Sequence, residues 1–268
     1  MANTLQKIYA AKAVLLEEEQ KREPYEALRE RAFARVPERR PFVAALRGAG
    51  GAAIVTEIKR ASPSAGLISR NFDPLAIARI YEAAGADAIS VLTERDHFLG
   101  ELGYLDAVRA VTTRPLLRKD FLWTRYQVAQ SAAYGADCML LIVSGMEDAT
   151  IAQCMEEARS YSLDVLLEAH DEDELRRAVA LGGTFIGINN RDLRTLVTDL
   201  AVSEHLLPKV PRGILAISES GMREVSDIVR LRAAGAHAFL IGEALMRSED
   251  PKALIAALRG GAVPAHAR

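Results

Sequence analysis

One phrase recurs along this chain. It reads YEAAGADAISVLTE from Tyr81, SAAYGADCMLLIVS from Ser131, AVALGGTFIGINN from Ala178 and RAAGAHAFLIGEA from Arg232. In each copy an alanine-rich helical end meets a glycine, and a short apolar run follows. Glycine readily takes the left-handed conformation that closes a helix, so each copy marks a helix end and a strand start. Recurrence at roughly two-unit intervals implies a repeated strand–helix unit.

The apolar runs predict eight strands. They are AAIVTEI from Ala52, AISVLT from Ala88, PLLRKDF from Pro115, CMLLIV from Cys138, DVLLEAH from Asp164, FIGINN from Phe185, ILAISES from Ile214 and AFLIGE from Ala238. Little alternation and many Ile, Val and Leu residues suit parallel strands buried on both faces. Helical stretches lie between them. Asp73 before Pro74 is a predicted N-cap with proline in the first turn, and Asp250 before Pro251 repeats the device. Eight alternations favour a closed α/β barrel, a (β/α)8 TIM barrel, whose usual size of about 250 residues suits a chain of 268. A doubly wound sheet would want a glycine fingerprint after the first strand, and EIKRASPSAG is no GxGxxG. The expectation is one barrel domain over 1–268, in which 1–50, up to GAGGA, forms an N-terminal helical extension over the barrel mouth.

Composition narrows the function. Lys plus Arg (34) nearly balance Asp plus Glu (36), so no basic excess points to nucleic acid and no basic amphipathic stretch to a membrane. The apolar runs are too short to span a bilayer, and the first 23 residues carry no signal-type hydrophobic region, which fits a cytoplasmic protein. Cys138 and Cys154 read as reduced thiols. His97, His170, His205, His237 and His266 are scattered without metal-ligand spacing, so no metal is expected. His170 reads as part of a loop, Trp123 as packing or mouth, and DEDE from Asp171 as the negative first turn of a helix. There is no GxSxG and no Walker loop.

Polar groups cluster instead at the strand ends: Glu57 and Lys59, Thr93 and Glu94, Lys119, Glu168, Asn189 and Arg191, Glu219 and Ser220, and Gly242. That end of a barrel is where active sites are built. Strand alternation puts Val55, Glu57 and Lys59 on one face, likewise Leu117, Lys119 and Phe121, and Leu166 with Glu168. A salt-bridge network closing the barrel would explain a single Lys–Glu pair. Two lysines, three glutamates and an asparagine on six strand ends favour a site. SESGM at Ser218 and IGEALM at Ile241 each put a glycine between a strand end and a helix start, where backbone N–H groups can hold phosphate. Tight turns are the alternative use of Gly221 and Gly242. Glu243 would serve through its N–H alone, with its carboxylate turned away.

EIKRASPSAG, VLTE, LLRKDF, LLIVS, LLEAH, GINNRDL, ISESG and LIGEALM, in this order over about residues 53–247, resemble the strand-end motifs of the indole-3-glycerol phosphate synthase family. The segment through RPFVAALR resembles that family's helical extension. The resemblance is to the form not fused with phosphoribosylanthranilate isomerase. It implies ring closure, decarboxylation and dehydration of 1-(2-carboxyphenylamino)-1-deoxyribulose 5-phosphate in tryptophan biosynthesis, with no cofactor. It implies Lys119 as general acid, Glu168 as general base of the dehydration, and Lys59 as partner of the substrate carboxylate and second acid. Glu57, Asn189 and Glu219 then orient lysines and hydroxyls, and Arg191 supports them. Ser220, Gly221, Gly242 and Glu243 form a phosphate cradle. Phe98, Phe121, Leu140 and Ile241 wall the aromatic ring, and Ser62, Pro63 and Ser64 form a mobile first loop. Nearby cations and burial are expected to lower the pKa of a catalytic lysine. The partner implied is a small phosphorylated molecule, bound by a monomer or at most a weak dimer. The rival readings are another phosphosugar barrel, such as an isomerase, and a barrel that only binds phosphorylated metabolites.

Overall fold

The computed structural model describes residues 4–260. Predictions at the chain ends, His266 among them, lie outside the described residues. Eight parallel strands close into a barrel: β1 (Ala53–Ile58), β2 (Ala88–Leu92), β3 (Leu116–Lys119), β4 (Cys138–Ile142), β5 (Asp164–Ala169), β6 (Phe185–Asn189), β7 (Leu215–Glu219) and β8 (Ala238–Ile241). Each pairs with its sequence neighbours, and β1 pairs with β8. All eight expected runs are strands. Glu57, Lys119, Glu168, Asn189 and Glu219 stay in the ladder, whereas Thr93, Asp120, His170, Asn190 and Ser220 lie just past the strand ends.

The helices that follow are α4 (Pro74–Ala83), α5 (Gly103–Arg109), α6 (Arg125–Ala133), α7 (Asp148–Ser160), α8 (Glu172–Ala180), α9 (Ala201–Leu206), α10 (Val225–Ala234), α11 (Glu243–Met246) and α12 (Pro251–Gly260). The repeated glycines end helices as expected, with φ of 84° at Gly85, 86° at Gly135, 79° at Gly182 and 118° at Gly235. Asp73 accepts from the N–H groups of Leu75 and Ala76, and Asp250 accepts from that of Ala253.

Alternation along each strand sorts the core into two layers. Val55, Leu117, Leu140, Leu166, Phe185 and Ile217 fill the barrel. Ile54, Ile89, Met139, Leu167, Ile186 and Phe239 face outward into the helix layer. By the same parity Glu57, Lys119, Glu168, Asn189 and Glu219 continue the inner set at the C-terminal end, which puts charge above an apolar plug.

The N-terminal extension takes a longer path than a cover over the mouth. Its helices are α1 (Thr4–Arg22), α2 (Tyr25–Ala34) and α3 (Phe42–Arg47). Only α1 reaches the C-terminal mouth, where Leu5 and Ile8 join the inner core and Tyr9 stacks edge-on against Phe121 and Trp123. Next, α2 packs along α6 on the outside. Finally, α3 seals the opposite end: Phe42 packs on Phe185, and Asp164 at the start of β5 accepts from the Val43 N–H. Helical periodicity predicts such segments but carries no information on which end of a barrel they cover.

Candidate active site

A cavity of about 930 Å³ opens at the C-terminal ends of the strands. Its floor is the charged layer just described. Lys119, the last residue of β3, reaches across the barrel with its Nζ 2.7 Å from Glu168 Oε2 and 2.9 Å from Glu219 Oε2. Both carboxylates are almost fully buried. They fit side by side because β6 contributes Gly187 between them, in register with Glu168: a Cβ there would overlap Glu219 Oε1.

The charges in this cluster set one another. Burial favours a neutral amine at Lys119, but the carboxylates of Glu168, Glu219 and Glu57 outweigh it and raise its pKa. This corrects the expectation of a lowered lysine pKa, because carboxylates and not cations surround the ammonium. Burial also opposes the charge on Glu168, yet Lys119, His170 and hydrogen bonds from Lys119 and Asn189 bring its pKa down to about 2. Glu219 goes the other way. Burial is the larger effect there, and with the neighbouring charge of Glu168 it overcomes Lys119 and pushes the carboxyl up to about 7. Like charges sharing one cation titrate in separated steps, and the pair offers an ionised carboxylate beside a readily protonated one.

Lys59 follows β1 with its Nζ 2.6 Å from Glu57 Oε1. This ion pair nests against Gly242, where a Cβ would overlap Glu57 and lie 3.0 Å from Lys59 Nζ. Lys59 therefore stands beside the β8 loop. The β7 and β8 loops adjoin it. Ser220 and Gly221 have positive φ, 65° and 91°, so the chain turns sharply as it leaves β7. Ser220 is a non-glycine residue in that region, held there while its carbonyl accepts from Asn190 Nδ2. Gly242 caps α11, and the Glu243 carboxylate turns back to Arg247 at 3.1 Å, away from the loop backbone. Arg223 also lines this end of the cavity.

The apolar wall lies toward β2–β4. Phe98 and Phe121 face each other with ring centroids 6.5 Å apart, and Leu140 and Ile142 continue the surface. Leu240, the inward residue of β8, and Ile241, whose side chain also joins the outer layer of the core, both line the cavity. Glu94 holds the loop that carries Phe98, accepting from the N–H groups of Asp96, His97 and Phe98. Thr93 donates to Asp120 Oδ2. In the first loop, Ala61–Ser62 and Gly66–Leu67 pair as a short antiparallel ribbon. Ser62 is buried within it, accepting from the Ala65 N–H, and does not line the cavity. Ser64 instead accepts from Arg191 Nη1 at 2.5 Å, so Arg191 ties the first loop to the β6 loop rather than touching the lysines.

Three features are not foreseen from the sequence. Lys12 of α1 pairs with Asp120 at 2.5 Å, next to Lys119. Gly187 makes room for Glu219. His170 stands behind Glu168, its Nε2 3.4 Å from Oε1. Alternation from Glu168 would have found the last, since residue 170 shares its face.

A model of the indole-3-glycerol phosphate synthase family matches residues 5–258. The indole-3-glycerol phosphate synthase of Streptomyces griseus is 45% identical over 251 residues, 93% of each chain. That of Polaromonas sp. is 45% identical over 97% of this chain and 99% of its own. Among solved structures, a 3-hexulose-6-phosphate synthase superposes with a TM-score of 0.59 at 22% identity, covering 79% of this chain and all of its own. A mandelate oxidase gives 0.56 at 18%, covering 78% of this chain and 72% of its own, and both likenesses speak to the barrel fold alone.

Proposed function

The chain belongs to the indole-3-glycerol phosphate synthase family, and on that premise we propose that its barrel mouth converts 1-(2-carboxyphenylamino)-1-deoxyribulose 5-phosphate into indole-3-glycerol phosphate. Carbon dioxide and water leave, and the atoms balance without an oxidant or reductant, so the chemistry is that of a cofactor-free carboxy-lyase. The observation that supports it best is Lys119, held between two buried carboxylates with the glycine-bearing loops of Gly221 and Gly242 on one side of the cavity and an apolar wall on the other.

The substrate's phosphate lies on the backbone of Ser220, Gly221, Gly242 and Glu243, and Lys59, the partner of the substrate carboxylate, also adds its charge there because it stands beside Gly242. The aromatic ring lies against Phe98, Phe121, Leu140 and Leu240. Its carboxylate-bearing carbon then attacks the ketone carbon while Lys119 gives a proton to the developing alkoxide. Loss of carbon dioxide returns the bonding pair to the ring. In the dehydration, the nitrogen lone pair acts through the ring to expel the hydroxyl, which takes a proton from Lys59 as the second acid and leaves as water, and Glu168 removes the proton from the carbon beside nitrogen. Glu219, Glu57 and Asn189 hold these groups in place, and fixing ring against carbonyl supplies the orientation term. Arg191 keeps the first loop over the mouth through Ser64.

Such an enzyme works in tryptophan biosynthesis as a cytoplasmic monomer. Among the described residues no helix is long and apolar enough to cross a membrane. The test is indole absorbance or fluorescence developing when the purified protein meets the anthranilate-derived ketose phosphate. An unchanged spectrum at high enzyme concentration refutes the reading.

A further inference from the structure

His170 has no part in the chemistry above, yet its ring is fixed more firmly than a loop residue requires. Glu174, in the first turn of α8, accepts at Oε2 from the His170 backbone N–H at 2.8 Å and lies 3.0 Å from its Nδ1. The Asp171 side chain in turn accepts from the Glu174 N–H, so the start of α8 and the imidazole are set by one interlocked turn. The other ring nitrogen, Nε2, is buried without a hydrogen bond and has Glu168 Oε1 as a carboxylate neighbour at 3.4 Å. Glu168 presents its second oxygen to Lys119.

Both ring nitrogens thus face carboxylate oxygens. A neutral imidazole carries one N–H and one lone pair, and would turn that lone pair on one of the carboxylates. Only the imidazolium turns an N–H toward both, as a hydrogen bond to Glu174 and as a charge beside Glu168. We propose that His170, held by Glu174, is a positioning residue for Glu168: as a cation behind the carboxylate it keeps Glu168 ionised and aims it at the substrate. The charged groups facing His170 are Glu168 from β5, Glu174 from α8 and Glu219 from β7, and Arg194 adds its charge near Glu174. Burial disfavours the charged ring, but the Glu174 hydrogen bond and these carboxylates outweigh it and raise the His170 pKa. The arrangement resembles a carboxylate–histidine relay that ends on a second carboxylate rather than on a nucleophile. The proposal rests on Glu168 acting as the base of the proposed reaction.

The experiment compares the full chain with His170→Asn and Glu174→Gln. Two readouts are used: steady-state kinetics across pH, and the titration of the Glu168 carboxylate by carbon NMR in ligand-free protein, assigned with Glu168→Gln. In His170→Asn, kcat should fall about tenfold, less than the roughly 100-fold or more of losing an acid–base group itself, with KM little changed. The Glu168 titration and the acid limb of kcat should both move up by about one pH unit, the size expected for losing an adjacent opposite charge. Glu174→Gln, at the more exposed end of the relay, should shift both the same way by less, and it decides the matter should His170→Asn not fold. An unmoved titration and acid limb in the folded variants would reduce His170 to packing and overturn the proposal. Should the wild type not turn over the ketose phosphate, the functional reading fails, and the carboxylate titration still judges the His170–Glu168 pair by itself.

Discussion

Gly187→Ala reaches the cluster of Lys119, Glu168 and Glu219 without replacing a charged residue. A methyl group at 187 overlaps Glu219 Oε1 and comes 3.3 Å from its carboxyl carbon and 3.2 Å from Leu166 Cδ1. Ordinary heavy-atom separation is about 3.5 Å, so the Glu219 oxygen must retreat by roughly 1.4 Å. The backbone need not yield, because the obstacle is the free end of a side chain. The contact at stake is the 2.9 Å pair between Glu219 and Lys119, which a movement of that size along its line would stretch past the roughly 4 Å reach of an ion pair. Misplacing a catalytic group by 1 Å costs on the order of 100-fold in rate, and overpacking a core costs about 1–3 kcal/mol of stability. The expected result is a folded protein, modestly less stable, with kcat lowered about 10- to 100-fold. Adding Glu219→Asp, which withdraws the carboxylate by one methylene, should restore part of the activity. Thermal melting and steady-state kinetics of both variants are the assay. Wild-type kcat in folded Gly187→Ala would refute the role given to the Glu219–Lys119 contact.

Two further outcomes follow from the same site. Sulfate or inorganic phosphate should compete with substrate and, in a soaked crystal, occupy the backbone of Gly221 and Gly242; an empty cradle without competition in solution contradicts it. The Glu219 carboxyl, raised to about 7 in the folded protein, lies above its unfolded value of about 4.3, so its stabilising contribution is complete below that value and is lost as pH rises through the folded pKa. Glu219→Gln should therefore gain stability relative to wild type between about pH 5 and pH 8, read as the difference in denaturation midpoints. A difference constant with pH rules out the raised carboxyl.

The barrel was legible because its signals are local. Glycine after an alanine-rich helix end, aspartate before proline, and unbroken apolar runs each act within a few residues, and strand parity placed Glu57, Lys119 and Glu168 on the inner face. On β8 the motif pointed to Ile241, which lines the cavity, but parity was needed to find its inward neighbour Leu240 as well. The charge state of Lys119 departs from expectation because it depends on β3, β5 and β7 being brought together, which is a property of barrel closure. Glu174 has two roles on one side chain. The acidic first turn was plain in DEDE, but its grip on His170 appears only when the loop folds back. The course of α1 to α3 from one barrel end to the other depends on partners such as Asp120 and Phe185, far away in sequence.

The central claim is that Lys119 donates the proton that drives ring closure. Turnover of the ketose phosphate should be measured for wild type, Lys119→Ala and Lys119→Arg, with substrate binding measured separately and folding verified by melting. Lys119→Ala should lose about 100-fold or more in kcat while binding changes little, the pattern of an interaction made in the transition state. Lys119→Arg should not rescue it, since a guanidinium scarcely releases its proton. Indole-3-glycerol phosphate formed by Lys119→Ala at near wild-type rate would contradict the account.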